Sequence, residues 1–162
     1  MDAIILDMGP DVRGESTRGS YVGKMELLSF SHGVAMQVTG DISSSERTSG
    51  RPSQQDMTVT KYLDSASPVL NQSCCEGRVF PQVEIIIGRD DHGSVVELMR
   101  YTLKNVLISS ISIGGGGGDR PVETLTLNYT EIKWTYTPQK QGDSEEGRWN
   151  LSTNSAERGR RV

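Results

Sequence analysis

Apolar and polar residues alternate along this chain far more often than they recur at helical spacing, and the alternation comes in blocks separated by turn residues. Ala3–Asp7, AIILD, reads as a first strand, closed by GPDVRGES, where Gly9-Pro10 and Gly14 supply turn chemistry. Tyr21–Val38 reads as a long extended region with Leu28, Phe30 and His32 on one face and Ser29, Ser31 and Gly33 on the other. DMTVTKYL, Asp56–Leu63, resumes a strand with β-branched and aromatic residues. VFPQVEIII, the turn GRDDHGS and VVELMRYTLKNVLISSISI follow as strand, turn and strand. Val122–Thr137 reads as the last long strand region. Leu125, Leu127 and Tyr129 share one parity there, and Ile132, Trp134 and Tyr136 share the other. The switch between Tyr129 and Ile132 requires a β-bulge or a strand that changes its buried side.

One stretch departs from period two. In DSASPVLNQSCCEG, Ser65 or Ser67 can cap a helix, Pro68 suits its first turn and Gly77 suits the left-handed C-terminal position, which predicts a short helix over Pro68–Glu76. Three segments read as loop. Gly40–Gln55 has almost no apolar content, and a loop of that length inside a compact domain is usually functional. GDSEEG, Gly142–Gly147, reads as a solvated loop, and the tail from about residue 152 to Val162 as flexible, with its basic cluster Arg158, Arg160 and Arg161 in solvent. Gly114–Gly118 stands between two strand patterns. Five glycines inside an element would cost about 0.5–1 kcal/mol each relative to alanine, so the run is a hairpin tip. These elements predict a mainly β fold: a compact β-barrel of two packed antiparallel sheets with one short flanking helix, formed by residues 1–162 as a single domain.

Composition adds a reason to associate. Hydrophobic residues are 34% and aromatics 6%, with 18 glycines, a low apolar share for a closed core that suggests burial completed by copies of itself. The net charge of −4 gives no overall attraction for nucleic acid. Apolar runs such as Ala3–Leu6 fall far short of the roughly 20 residues that span a bilayer, so no membrane insertion is expected. MDAIILDMG carries Asp2 and Asp7 and no basic start, which makes it a poor signal peptide; folding in the cytosol, with any export by another route, is the expectation.

Catalytic and cofactor chemistry finds no footing. A strand pattern follows the glycine run where a dinucleotide site needs a helix N-terminus. GSYVGKM has three residues between its glycines where a phosphate loop has four, and Met25 in place of a hydroxyl. His32, His92 and the vicinal Cys74 and Cys75 do not make a zinc set; the thiols are expected reduced, one inward and one outward. Consecutive residues in DDHGS cannot form a relay, and no G-x-S-x-G elbow occurs. No catalytic residue, metal or cofactor is therefore expected.

DVRGES at Asp11–Ser16, LLSFSHG at Leu27–Gly33, TKYLDSASPVL at Thr60–Leu70, TLKNVLISSISIGG at Thr102–Gly115, VETLTLNY at Val122–Tyr129, YTPQK at Tyr136–Lys140 and RWNL at Arg148–Leu151 together resemble the haemolysin-coregulated protein family, the tube proteins of type VI secretion systems. The resemblance implies a structural subunit without catalysis. It implies hexameric rings stacked into a tube, enclosed by sheath and tip proteins, secreted with that machine and carrying effector proteins in the lumen. On that reading Ser29 and Ser31 are candidates for the lumen wall, because small hydroxyls leave a smooth, wettable surface. Asp41, Glu46, Arg47 and Arg51 are candidates for contacts between subunits or rings, and Gly114, Gly115, Gly116, Gly117 and Gly118 for a rim hairpin. The competing reading is a monomeric ligand-binding β-barrel, which needs a closed apolar cavity.

Overall fold

The alternating blocks become antiparallel strands in a computed structural model that describes residues 3–38, 51–138 and 144–156. In chain order these are β1 (Ala3–Asp7), β2 (Met25–Glu26), β3 (Ser29–Ser31), β4 (Val34–Ala35), β5 (Ser53–Gln54), β6 (Met57–Tyr62), helix α1 (Ser67–Glu76), β7 (Val79–Asp91), β8 (Ser94–Gly114), β9 (Val122–Asn128), β10 (Glu131–Tyr136) and β11 (Glu145–Asn150). Among the described residues, nine strands form one sheet with the path β2-β1-β7-β8-β9-β6-β3; β10 joins β8 and carries β11, while β4 and β5 make a separate ribbon.

The ladder of this sheet does not close, yet the chain closes it. β2 and β3 lie at opposite ends of the path and are neighbours in sequence. Leu27 N–H donates to Ile4 O of β1 at 2.8 Å, and the next residue, Leu28, donates to Thr60 O of β6 at 2.7 Å. One peptide unit thus spans the seam. Both halves of the curled sheet face one apolar core containing Leu6, Met25, Val59, Phe80, Ile85, Leu103, Leu125 and Leu127. The antiparallel, barrel-like β architecture expected from the sequence is present, with the seam made by the chain in place of a ladder.

β8 is 21 residues long and organises the sheet. Its first part pairs with β7 across a two-residue turn, His92-Gly93, in which both residues have positive φ, 50° and 87°, the backbone of a type I′ hairpin. Its opposite edge pairs first with β10 and then, beyond Asn105, with β9. Asn105 itself takes φ 52° and donates from Nδ2 to Thr130 Oγ1 at 2.9 Å. The kink therefore sits opposite the break between β9 and β10. Val122–Thr137 is two strands, and this break accounts for the parity switch between Tyr129 and Ile132.

Other expectations need correction. Tyr21–Val38 is not one strand: a 3₁₀ turn at Gly19–Tyr21 precedes β2, β3 and β4, because the chain must change partner at the seam. Leu28 is exposed, unlike half-buried Phe30 and His32. The segment Gly40–Gln55 ends in strand β5, and the loop reading of Gly142–Gly147 fails at its end, where β11 begins and pairs with β10, although residues 144–147 are exposed as expected. Helix α1 starts at Ser67, and neither serine caps it as expected. Ser65 Oγ donates to Arg13 O, Ser67 Oγ accepts from Asp64 N–H, and Asp64 Oδ1 takes the N–H of Ala66. The C-terminal expectation holds, with Gly77 at φ 63° and its N–H on Cys74 O. Cys74 packs against the core and Cys75 is exposed. The glycine run is the connection of the β8–β9 hairpin, and Gly114 is the last residue of β8.

Candidate functional site

Four strands carry the same three-residue pattern, hydroxyl, apolar, hydroxyl: SFS at 29–31 in β3, TVT at 58–60 in β6, SIS at 110–112 in β8 and TLT at 124–126 in β9. Successive strand residues point to opposite faces, so each segment turns its apolar residue one way and both hydroxyls the other. Val59 and Leu125 are in the core, with Phe30 and Ile111 packed against it.

Register aligns the hydroxyls. Ser29 pairs with Thr60, Thr60 with Thr124 and Thr124 with Ser112; Ser31 pairs with Thr58, Thr58 with Thr126 and Thr126 with Ser110. Two rungs of four hydroxyls cross the outer face. The side chains partly satisfy one another, with Ser29 Oγ 2.5 Å from Thr60 Oγ1 and Ser110 Oγ 2.6 Å from Thr126 Oγ1. At one end of the face, Asp56 accepts from Ser109 Oγ at 2.7 Å and from Asn128 Nδ2 at 3.0 Å. At the other end the Arg120 guanidinium lies 4.6 Å from the Tyr62 ring centroid. Between these ends the face is neutral, hydrogen-bonding and made of short side chains.

The face has two edges without a strand neighbour among the described residues. β3 ends the sheet path, and β7 stops at Val79, opposite Leu107, so β8 from Ile108 to Gly114 pairs with β9 alone. Beside β3 rises the β4–β5 ribbon, rooted by Gln55 N–H on Gly33 O at 2.9 Å. Tyr129 Oη donates to Gln55 O at 2.8 Å and lies 2.6 Å from His32 Nε2. The phenol has one proton, so His32 Nε2–H is the donor of this second bond. Tyr101, Tyr129 and Trp134 surround the imidazole with ring centroids at 6.0, 6.0 and 6.3 Å. Burial lowers the His32 pKa, partly opposed by a hydrogen bond with Gln54. Burial raises that of Tyr129, and the charge of Asp56 adds to it. Val34, Met36 and Pro52 on the ribbon side and Trp134 and Trp149 on the sheet line an open apolar groove of about 330 Å³.

A different chemistry covers β7, β8, β10 and β11. Arg100 bonds Glu84 and Glu97, Arg148 bonds Glu146, and Lys133 lies 3.4 Å from the same carboxylate. This is a mosaic of paired charges. Lys61 and Ser67 come within 3.4 Å, a spacing that suggests a nucleophile and base, but both are buried. Lys61 Nζ is held by Asp64 and Glu123, each at 2.8 Å, and Ser67 Oγ donates to Glu123, so the group is a structural ion network. Among the described residues no three His, Cys, Asp or Glu side chains gather as a metal set, and no helix is long and apolar enough to cross a membrane.

Ser29 and Ser31 are thus both exposed and lie together on the hydroxyl face. Reading the sequence for candidates missed Thr58, Thr60, Ser110, Ser112, Thr124 and Thr126, although the fourfold hydroxyl-x-hydroxyl repeat was there to find. Arg51 is exposed ahead of β5, while Asp41, Glu46 and Arg47 lie outside the described residues, as does the tail beyond Ala156.

Fold and face together define a curled antiparallel β protein with a neutral hydroxyl wall between two strand edges that lack a neighbour among the described residues. The family model for the type VI secretion system effector Hcp matches residues 6–136. Protein hcp1 of Pseudomonas aeruginosa is 33% identical over 150 residues, covering 89% of this chain and 92% of that protein. A solved type six secretion system protein superposes with a TM-score of 0.87 at 28% identity, over 97% of this chain and all of that one (100%). Hcp1 from Salmonella typhimurium shares the fold, with a TM-score of 0.78 at 22% identity over 95% of this chain and 97% of that one. The chain belongs to the Hcp family of type VI secretion tube proteins, a family of structural, secreted proteins.

Proposed function

We propose that this chain is a non-enzymatic subunit that closes into hexameric rings, stacks with further rings into the inner tube of a type VI secretion machine, and turns its hydroxyl face toward the lumen. The two rungs of four hydroxyls carry this reading. Ser29 with Thr60 and Ser110 with Thr126 already pair laterally, so a passenger protein meets a wettable wall that holds it weakly and releases it. A closed ring needs two different surfaces on each subunit. The unpartnered edges of β3 and β8 flank the hydroxyl face and supply them, and placing them side by side in neighbouring subunits protects both.

The remaining assignments follow. The segment 40–55, with Asp41, Glu46, Arg47 and Arg51, contacts the adjacent subunit or the next ring, and the Gly114–Gly118 tip lies at the rim. Sheath and tip proteins enclose and cap the tube. Small effector proteins ride inside it. The chain folds in the cytoplasm and leaves with the machine, without a cleaved signal peptide.

Electron microscopy and mass photometry of the purified protein test the assembly, with open-centred hexamers expected and a strict monomer across the micromolar range overturning it. Replacing Ser31 with tryptophan narrows the wall without touching the core. Loss of passenger retention with unchanged ring mass is the expected result, and unchanged retention counts against the inward placement.

A further inference from the structure

Resting on the inward placement of the hydroxyl face, we infer that the wall selects passengers by charge through Asp56, and that the proteins it retains best present lysine or arginine to it. Around the two rungs, β3, β6, β9 and the last part of β8 turn no charged side chain outward; the acid on this face is Asp56, just ahead of β6, with Arg120 at the far end. Lys61 and Glu123, the charged residues within β6 and β9, point inward and are fully buried.

Two neutral donors position Asp56. Ser109 sits where the β8–β9 register shifts, and its hydroxyl donates to Oδ2, while Asn128 donates to Oδ1. Neither donor is a cation, and no ion pair with Asp56 is found among the described residues. Each carboxylate oxygen accepts more than one hydrogen bond. A half-exposed, oriented carboxylate with spare acceptor capacity matches the forked donors of arginine or the ammonium of lysine. In a ring the carboxylate repeats in every subunit, so each cationic contact adds to the next. The chain as a whole, at −4, favours the same sign of partner.

The test uses one small folded domain in lysine-rich and glutamate-rich surface versions, each mixed with the assembled full-length protein and measured for retention at low and high salt. The expected preference for the lysine-rich version is about tenfold at low salt and falls with added salt. Asp56→Asn keeps an acceptor for Ser109 or Asn128, leaves ring mass unchanged and abolishes the preference; Asp56→Glu preserves it. An Asp56→Asn ring that keeps the full preference overturns the charge inference. If Ser31→Trp blocks retention of both probes while Asp56→Asn changes nothing, the lumen reading stands and the Asp56 inference fails. If Ser31→Trp leaves both probes retained in an intact ring, both fall.

Discussion

Lys61 and Glu123 lie directly opposite each other on β6 and β9, yet both are fully buried, between the outward pairs Thr60–Thr124 and Tyr62–Val122. A charge at that depth is tolerable only with its partner in place, since removing one member of a buried pair costs about 3–5 kcal/mol. Lys61→Met alone should therefore destabilise the fold by about 3 kcal/mol, read as a lower urea midpoint. The double variant Lys61→Met with Glu123→Leu should recover most of that loss. Failure of the second change to rescue the first would mean that the network's tie to Ser67 in α1, and not the ion pair, is what the fold requires. Asn105 makes a second argument at this scale. Its left-handed backbone costs an ordinary side chain about 1–2 kcal/mol, so Asn105→Ala should destabilise while Asn105→Gly stays nearer the parent, both measured by denaturant unfolding.

The root of the β4–β5 ribbon, where His32 lies beside Tyr129, carries a pH dependence. Burial depresses the His32 pKa, so the unfolded chain takes up its proton first as pH falls. The stability tied to neutral His32 is whole above about pH 6.5 and is lost as pH drops through the folded-state value. Unfolding midpoints compared between about pH 7 and pH 5 should fall more steeply in the parent than in His32→Gln. Elements were legible in the sequence where period two ran uninterrupted, as in β6 and β9, where a short apolar run stood before turn residues, as in β1, and where Pro68 and Gly77 bounded α1. They were illegible where a strand's partner changes. Tyr21–Val38 reads as a single extended region because local pattern is blind to which neighbour each part pairs with. β11 was hidden for a related reason: Glu145, Glu146 and Arg148 are polar because they face solvent and each other on an outer strand, so no apolar alternation announces it. The candidate site was half legible, since SFS was noticed and its three counterparts acquire meaning only once register places them in line.

At the scale of the whole molecule, one outer region is neutral and hydroxylated and another is a mosaic of paired charges, and β8 serves both. The kink at Asn105 separates them along a single strand. Removing the tip of the segment 40–55 should weaken ring stacking more than folding, seen as intact far-ultraviolet dichroism alongside a lower assembled fraction in sedimentation. Loss of the folded signal would contradict the assignment, since that stretch has almost no apolar residues.

The seam at Leu27 and Leu28 has a mechanical consequence. Elsewhere two sheet halves are held edge to edge by hydrogen bonds that shear in sequence, like a zip, whereas here a covalent bond carries tension between β1 and β6. Thrust that tends to unroll the subunit therefore loads the backbone itself, and a single cut between Leu27 and Leu28 would leave the shared core to hold the two halves together across the seam, with every ladder bond still intact.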